Sequence, residues 1–200
     1  LAAYLVEREI ITGKEFVNDL TRSDIVKAED AEIYIYGINQ ILMYSINISS
    51  ALIIGLIFGK FFEAAVFIVA YCSLRSFAGG YHAKTPLRCY VFSVIMLIIV
   101  LVGIKYLYLT EWMYYVVLLA AALVVIVLSP VEDKNKPLDE IKHRVYKKRT
   151  ILIVATELLI GIVLKLMGLD NLFVAVVYSF VVLSFMLVAG KVKNHWSIAP

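Results

Sequence analysis

The chain has 200 residues and a mass of 22.5 kDa; 62% of them are Ala, Val, Ile, Leu, Met, Phe, Trp, Tyr or Cys, 18% are charged, and the net charge is +3. Ordinary globular chains run about 45–50% apolar and about 25% charged, so a soluble monomer is excluded. Two cysteines, four prolines and ten glycines exclude a disulfide scaffold, a collagen-like repeat and a low-complexity tract.

The charges are clustered, leaving apolar runs of about 14 to 20 residues, the length a bilayer core of about 30 Å asks of a helix. The expected fold class is therefore all-α: a polytopic integral membrane protein with six transmembrane helices, preceded by short amphipathic helices. Residue 1 is Leu rather than Met, which leaves room for a start upstream.

Residues 1–36 carry eight acidic and four basic side chains with no apolar stretch of signal-peptide length, so they read as cytoplasmic or interfacial helices. Thr21-Arg22-Ser23-Asp24 fits a helix-start pattern, with an acidic residue where the helix dipole favours it. A single membrane domain is expected over 37–190, with spans near 38–58, 61–78, 87–104, 112–129, 151–167 and 172–189, and a cytoplasmic tail over 191–200. The second span is the weakest, because its mostly apolar part, Phe61 to Leu74, covers only about 21 Å at 1.5 Å per residue.

Orientation follows from the basic residues rather than the net charge. Alternate non-membrane segments carry 16 Lys and Arg on one side and 3 on the other. Both termini and the loops near 75–88 and 130–150 are therefore expected in the cytoplasm, and the regular alternation supports six spans.

The chemistry concentrates between spans two and three, in Arg75-Ser-Phe-Ala-Gly-Gly-Tyr-His82-Ala-Lys-Thr-Pro-Leu-Arg-Cys89. A cysteine nucleophile needs a nearby base, and histidine has the fitting pKa. In an unbroken helix the spacing of seven would leave His82 and Cys89 roughly 10 Å apart along the axis, beyond hydrogen-bond reach. Thr85-Pro86 offers a way out, reading as N-cap and first helical residue. The third spanning helix then starts at Pro86, with Cys89 in its first turn, where the dipole and the neighbouring Lys84 and Arg88 favour a thiolate. On a loop loosened by Gly79 and Gly80, His82 could fold back toward the sulfur. A Cys89–His82 dyad at the cytoplasmic membrane boundary is expected. The plainer reading is that Cys89 is a small buried hydrophobe and His82 a solvated interfacial residue. Cys72, inside an apolar run, reads as structural. No metal is expected, since His143 and His195 lie in other segments, away from His82.

The pattern Arg-x-x-x-Gly-Gly-x-His-Ala-x-x-x-x-x-Cys leading into a membrane helix resembles the signature of the AgrB family, accessory gene regulator protein B. The likeness extends to six apolar spans and to Pro130-Val-Glu-Asp-Lys-Asn-Lys-Pro137, similar to the family's proline-bounded basic loop after the fourth span. The resemblance implies His82 and Cys89 as the catalytic pair, with Arg75, Gly79 and Gly80 in support, and a polar residue early in the first span for which Asn39 and Gln40 are both candidates. It also implies a cell-membrane cysteine endopeptidase, without cofactor, that cleaves an AgrD-like precursor peptide and promotes its closure into a thiolactone autoinducer for quorum sensing. The thiolate of Cys89 would attack the scissile carbonyl and His82 would protonate the departing amine. A cysteine of the bound peptide would then displace Cys89 by thioester exchange, and a site shielded from water would protect the intermediate.

The seven cations over 134–149 have a plain role in topology and contact with anionic membrane lipid. A sharper reading makes Lys134 and Lys136, with Lys84 and Arg88, contacts for an acidic peptide tail. Arg75 could instead bind a substrate carboxylate or orient the dyad through its planar fork. Glu157, ionisable inside span five, should face the bundle interior. It could be protonated, pair with Arg75 or a lysine, or lie near the site.

The main rival function is a peptide transporter or exporter subunit, in which His82 and Glu157 serve a pathway and Cys89 is incidental. A non-catalytic membrane scaffold is the second. Neither accounts for a His, a Gly pair, a helix cap and a Cys in one loop. Nucleic-acid binding has only basic loops in its favour, which topology explains. A homodimer is a further expectation, two-fold pairs being the commonest assembly.

Overall fold

A computed structural model of the chain describes residues 15–23, 27–81, 85–132 and 139–196. Residues 15–22 are helical and a short 3-10 turn follows at Ala28–Asp30. Six long helices come next: α1 (Ala31–Ile57), α2 (Phe61–Ala78), α3 (Pro86–Tyr106), α4 (Glu111–Leu128), α5 (Glu140–Leu166) and α6 (Asp170–Trp196). The protein is all-α and built for a membrane, where a helix satisfies every backbone polar group within itself. Large apolar side chains such as Ile57, Phe62, Val69, Leu123, Leu152 and Phe185 stand exposed, as lipid-facing residues do.

Five helices are long and apolar enough to cross a bilayer: α1, α2, α3, α4 and α6. The expected fifth span, 151–167, differs. The first third of α5 is charged, and its remaining turns carry Glu157 and Lys165, so it falls short in composition although its length is ample. The weak second span gains instead, because α2 continues past Leu74 through Ala78 to 18 residues, about 27 Å at 1.5 Å per residue.

The chain divides into two compact units, one of residues 1–51 and 83–95, the other of 52–82 and 96–200. In the first unit the Ser50 hydroxyl lies 2.9 Å from the Tyr90 hydroxyl and ties α1 to α3. The expected cap at Thr21 is not formed. Thr21 sits in the last turn of helix 15–22, where its hydroxyl donates 2.9 Å back to the Val17 carbonyl. A Thr-x-x-Asp spacing marks a helix start only if the preceding residues are not already helical, and here they are.

In the second unit, α6 packs against α2, α4 and α5 in a four-helix bundle. Small residues on α2, namely Ala64, Ala70 and Ala78, let it approach closely, and α5 presents Thr150, Val154, Glu157 and Gly161 inward. At one end of the bundle the Lys165 ammonium reaches Glu111 at 2.8 Å and Asp170 at 2.7 Å, joining α4, α5 and α6. A cleft of about 480 Å³ opens nearby, lined by Phe62, Glu63 and residues 168–172. The opposite end holds the segment that follows α2.

Candidate active site

Chain direction after α2 is set by backbone contacts rather than by side chains. Gly79 and Gly80 have φ of 75° and 128°, which L side chains rarely adopt. Gly79 pairs with Val131 in an isolated parallel bridge, the Val131 N–H donating 2.9 Å to the Ala78 carbonyl. A Cβ at Gly79 would collide with the Val131 carbonyl oxygen. The Tyr81 N–H then donates 3.0 Å to the Met186 carbonyl of α6. Gly190, one turn further along α6, allows this approach, for a Cβ there would lie 3.0 Å from Gly80 and Tyr81 backbone atoms. The glycine pair therefore takes the positive φ its sequence allows, but it is clamped rather than loose.

Arg75 holds the same segment from below. Its guanidinium donates 2.9 Å to the Tyr71 hydroxyl and 2.5 Å to the Tyr81 carbonyl, and stacks over the Tyr71 ring at 5.7 Å. Its planar fork thus serves two acceptors at once. Lys193 lies 5.2 Å over the Tyr81 ring. Asn194 donates 2.7 Å to the Glu132 carbonyl, fixing the strand-like stretch after α4 to the last turns of α6.

Among the described residues, four cations of the basic loop, Lys142, Arg144, Lys147 and Arg149, meet partners within the protein. The Lys147 ammonium donates to the Ile126 carbonyl and, at 2.7 Å, to the Ser129 carbonyl, closing the C-terminus of α4. Burial, together with the nearby Lys191, pushes the pKa of Lys147 below the usual lysine value. Arg149 stacks 5.2 Å over Phe77, which itself meets Tyr146 edge-on at 5.7 Å. Lys142 and Arg144 pair with Asp139 and Glu140 at the surface.

Cys89 belongs to the other unit. Its helix begins at Pro86, and the Thr85 hydroxyl accepts the Arg88 N–H at 3.3 Å, so Thr85 is the N-cap its position suggests. The Cys89 N–H donates 3.1 Å to the Thr85 carbonyl, the first intrahelical bond of α3. Cys89 is a free, half-buried thiol one turn into the helix, and Arg88 beside it is exposed. Cys72 is also free and lies on an exposed face of α2.

His82, Lys84, Lys134 and Lys136 fall outside the described residues. Asn39 and Gln40 sit half-buried on α1, and the Asn39 side-chain oxygen is buried without a hydrogen-bond partner. Glu157 is 6% exposed, and its Oε1 accepts the Ser73 hydroxyl at 2.5 Å. Its partner is thus a serine of α2 rather than Arg75 or a lysine. Among the described residues no three His, Cys, Asp or Glu side chains converge to hold a metal. The structure adds Tyr71, Tyr81, Val131 and Gly190 to the surroundings of Gly79 and Gly80. Tyr81 lay within the motif and Val131 within the proline-bounded loop, and nothing local in sequence marks the other two.

The model of the family described as accessory gene regulator B matches residues 14–187. An AgrB-like protein of Clostridium perfringens strain SM101 is 29% identical over 142 residues, 67% of this chain and 66% of that protein. The accessory gene regulator protein B of Staphylococcus saprophyticus is 29% identical over 92 residues, 46% of this chain and 49% of that one. The chain thus spans just under two thirds of the first relative's length and about half of the second's. No solved structure matches.

Proposed function

The chain belongs to the accessory gene regulator B family, and from that premise we propose that it is a membrane cysteine endopeptidase acting in quorum sensing on an AgrD-like precursor peptide. The observation that carries this reading is the Thr85–Pro86 cap, which opens α3 and sets a free Cys89 one turn inside a positively polarised helix start. His82 stands seven residues before it, on a segment whose last described residue, Tyr81, is pinned to α6 and to Arg75.

The chemistry balances in two exchanges. The Cys89 thiolate adds to the scissile carbonyl, the C–N bond breaks, and the His82 imidazolium gives its proton to the leaving amine. The N-terminal part of the precursor is left as a thioester on Cys89. A cysteine of that peptide loses its thiol proton to His82, attacks the thioester carbon and expels the Cys89 thiolate, giving a thiolactone. The first step trades an amide for a thioester and runs uphill; departure of the C-terminal fragment draws it forward. The second trades one thioester for another and is nearly level. Water must be excluded between them, which a site at the cytoplasmic membrane boundary favours. With the apolar turns of α5 counted as a sixth crossing, the excess of cations on alternate segments supports an orientation with both termini in the cytoplasm.

The test is reconstitution with the cognate precursor. Cys89→Ser and His82→Ala should cut the cleavage rate at least about a thousandfold, as loss of a nucleophile or its base does in other hydrolases, and a peptide thioester should be trapped on wild-type Cys89 by mass spectrometry. Cys72→Ser should process normally. Normal processing by Cys89→Ser would sink the peptidase reading and favour an exporter.

A further inference from the structure

Among the described residues two carboxyls are buried: Glu63, which pairs with Lys60 at 2.9 Å, and Glu157, which has no cation and whose place the proposed chemistry does not use. It projects from the inward face of α5 with Val154 and Gly161, is 6% exposed, and spends one oxygen on the Ser73 hydroxyl of α2 while Oε2 has no hydrogen-bond partner. A leucine of similar size would fill the same space without desolvating a polar group, so packing alone gives no reason for a glutamate. Its distinctive effect is direction. The α2 surface that meets the bundle is built from Glu63, Ala64, Phe67, Ala70, Leu74 and Ala78, whose packing is supplemented by a directional polar link from Ser73 to α5. The Ser73–Glu157 bond opposes sliding and rotation of α2 against α5.

Ser73 lies two residues before Arg75, whose guanidinium holds the Tyr81 carbonyl, and less than two turns before Gly79, which docks on Val131. We propose that Ser73 and Glu157 are a positioning pair within the bundle that sets the register of α2 and, through Arg75 and Gly79–Gly80, the clamp on Tyr81, the residue before His82 in the chain. The inference rests on the peptidase reading for its consequence in catalysis, but not for its structural part.

Two readouts separate these. Hydrogen–deuterium exchange of the purified full chain in detergent reads the clamp over 79–81 and at Val131, where the Tyr81 N–H donates to Met186 and the Val131 N–H to Ala78. Ser73→Ala and Glu157→Leu should each speed exchange there about tenfold, the scale of one lost buried hydrogen bond, while α4 amides stay unchanged. The double variant should be no faster than either single, and Glu157→Gln, whose amide oxygen still accepts the hydroxyl, should resemble wild type. With precursor supplied, the same variants should lower kcat by a similar factor and leave KM within about twofold, because the loop rather than the peptide contacts is displaced. Unchanged exchange at 79–81, additive effects, faster exchange throughout the bundle, or a Glu157→Gln as damaging as Glu157→Leu would each overturn the pair. Cleavage that survives Cys89→Ser overturns the peptidase reading and leaves the exchange result to decide the pair.

Discussion

The two ends of the bundle are closed in different ways. At one end a single ammonium, Lys165, gathers Glu111 and Asp170, whose side chains are 78% and 62% exposed. At the other, closure is made by backbone against backbone, Gly79 on Val131 and Tyr81 on Met186, with Gly190 clearing the space and Lys147 facing carbonyls. Exposed ion pairs tolerate several geometries and fade with salt. Backbone contacts at closest approach tolerate one. The end that carries Arg75, Gly79 and Gly80 is built to the tighter standard, as the proposed role of the residue that follows Tyr81 would require.

Substitutions grade this contrast. Gly79→Val should be the most damaging, since it combines a φ of 75° with a collision at the Val131 carbonyl. A loss of about 3 kcal/mol or more is expected, read as a collapse of folded yield in size-exclusion chromatography. Lys147→Met leaves the Ile126 and Ser129 carbonyls without their donor and should cost about 1–3 kcal/mol in denaturant unfolding. Thr85→Val removes the cap of α3 and should cost about 1 kcal/mol, with a fall in processing rate larger than that of a neutral substitution elsewhere on α3. Lys165→Met should cost no more than about 1 kcal/mol, and the difference from wild type should vanish in 1 M salt. A similar loss from Lys165→Met and Lys147→Met would erase the contrast between the ends. The smallest effect concerns pH. Because Lys147 loses its proton at lower pH folded than unfolded, the unfolded chain binds more protons in the window just below the usual lysine value. Stability should therefore rise with pH across that window in wild type relative to Lys147→Met.

The helices were legible because their signals are local. Apolar runs at 61–78 and 112–129 meet helices at Phe61–Ala78 and Glu111–Leu128 to within a residue. Thr85–Pro86 was readable for the same reason, as a cap and its helix lie three residues apart. Thr21 misled, because a capping pattern was read without the helix already running through it. The rest depends on distant partners. Gly79 meets Val131, Tyr81 meets Met186, and Ser73 meets Glu157 84 residues away, and no periodicity within one helix announces its partner in another. The sequence showed that Glu157 should face inward, but the choice among protonation, an arginine or a lysine left out the serine that it meets. It also read Gly79–Gly80 as freedom, since φ preference is visible in a sequence and the neighbour filling the missing Cβ is not.

Lys147 is also one of the cations clustered over 134–149, so under the orientation proposed above a single charge would serve two clients at different times during biosynthesis. When α4 leaves the ribosome, the carbonyls of Ile126 and Ser129 have no donor; it arrives 21 and 18 residues later. The end of α4 is thus completed only by the beginning of α5. Relocating that cation to reverse topology would also remove the plug from α4, so charge-swap experiments at this loop report assembly and orientation together.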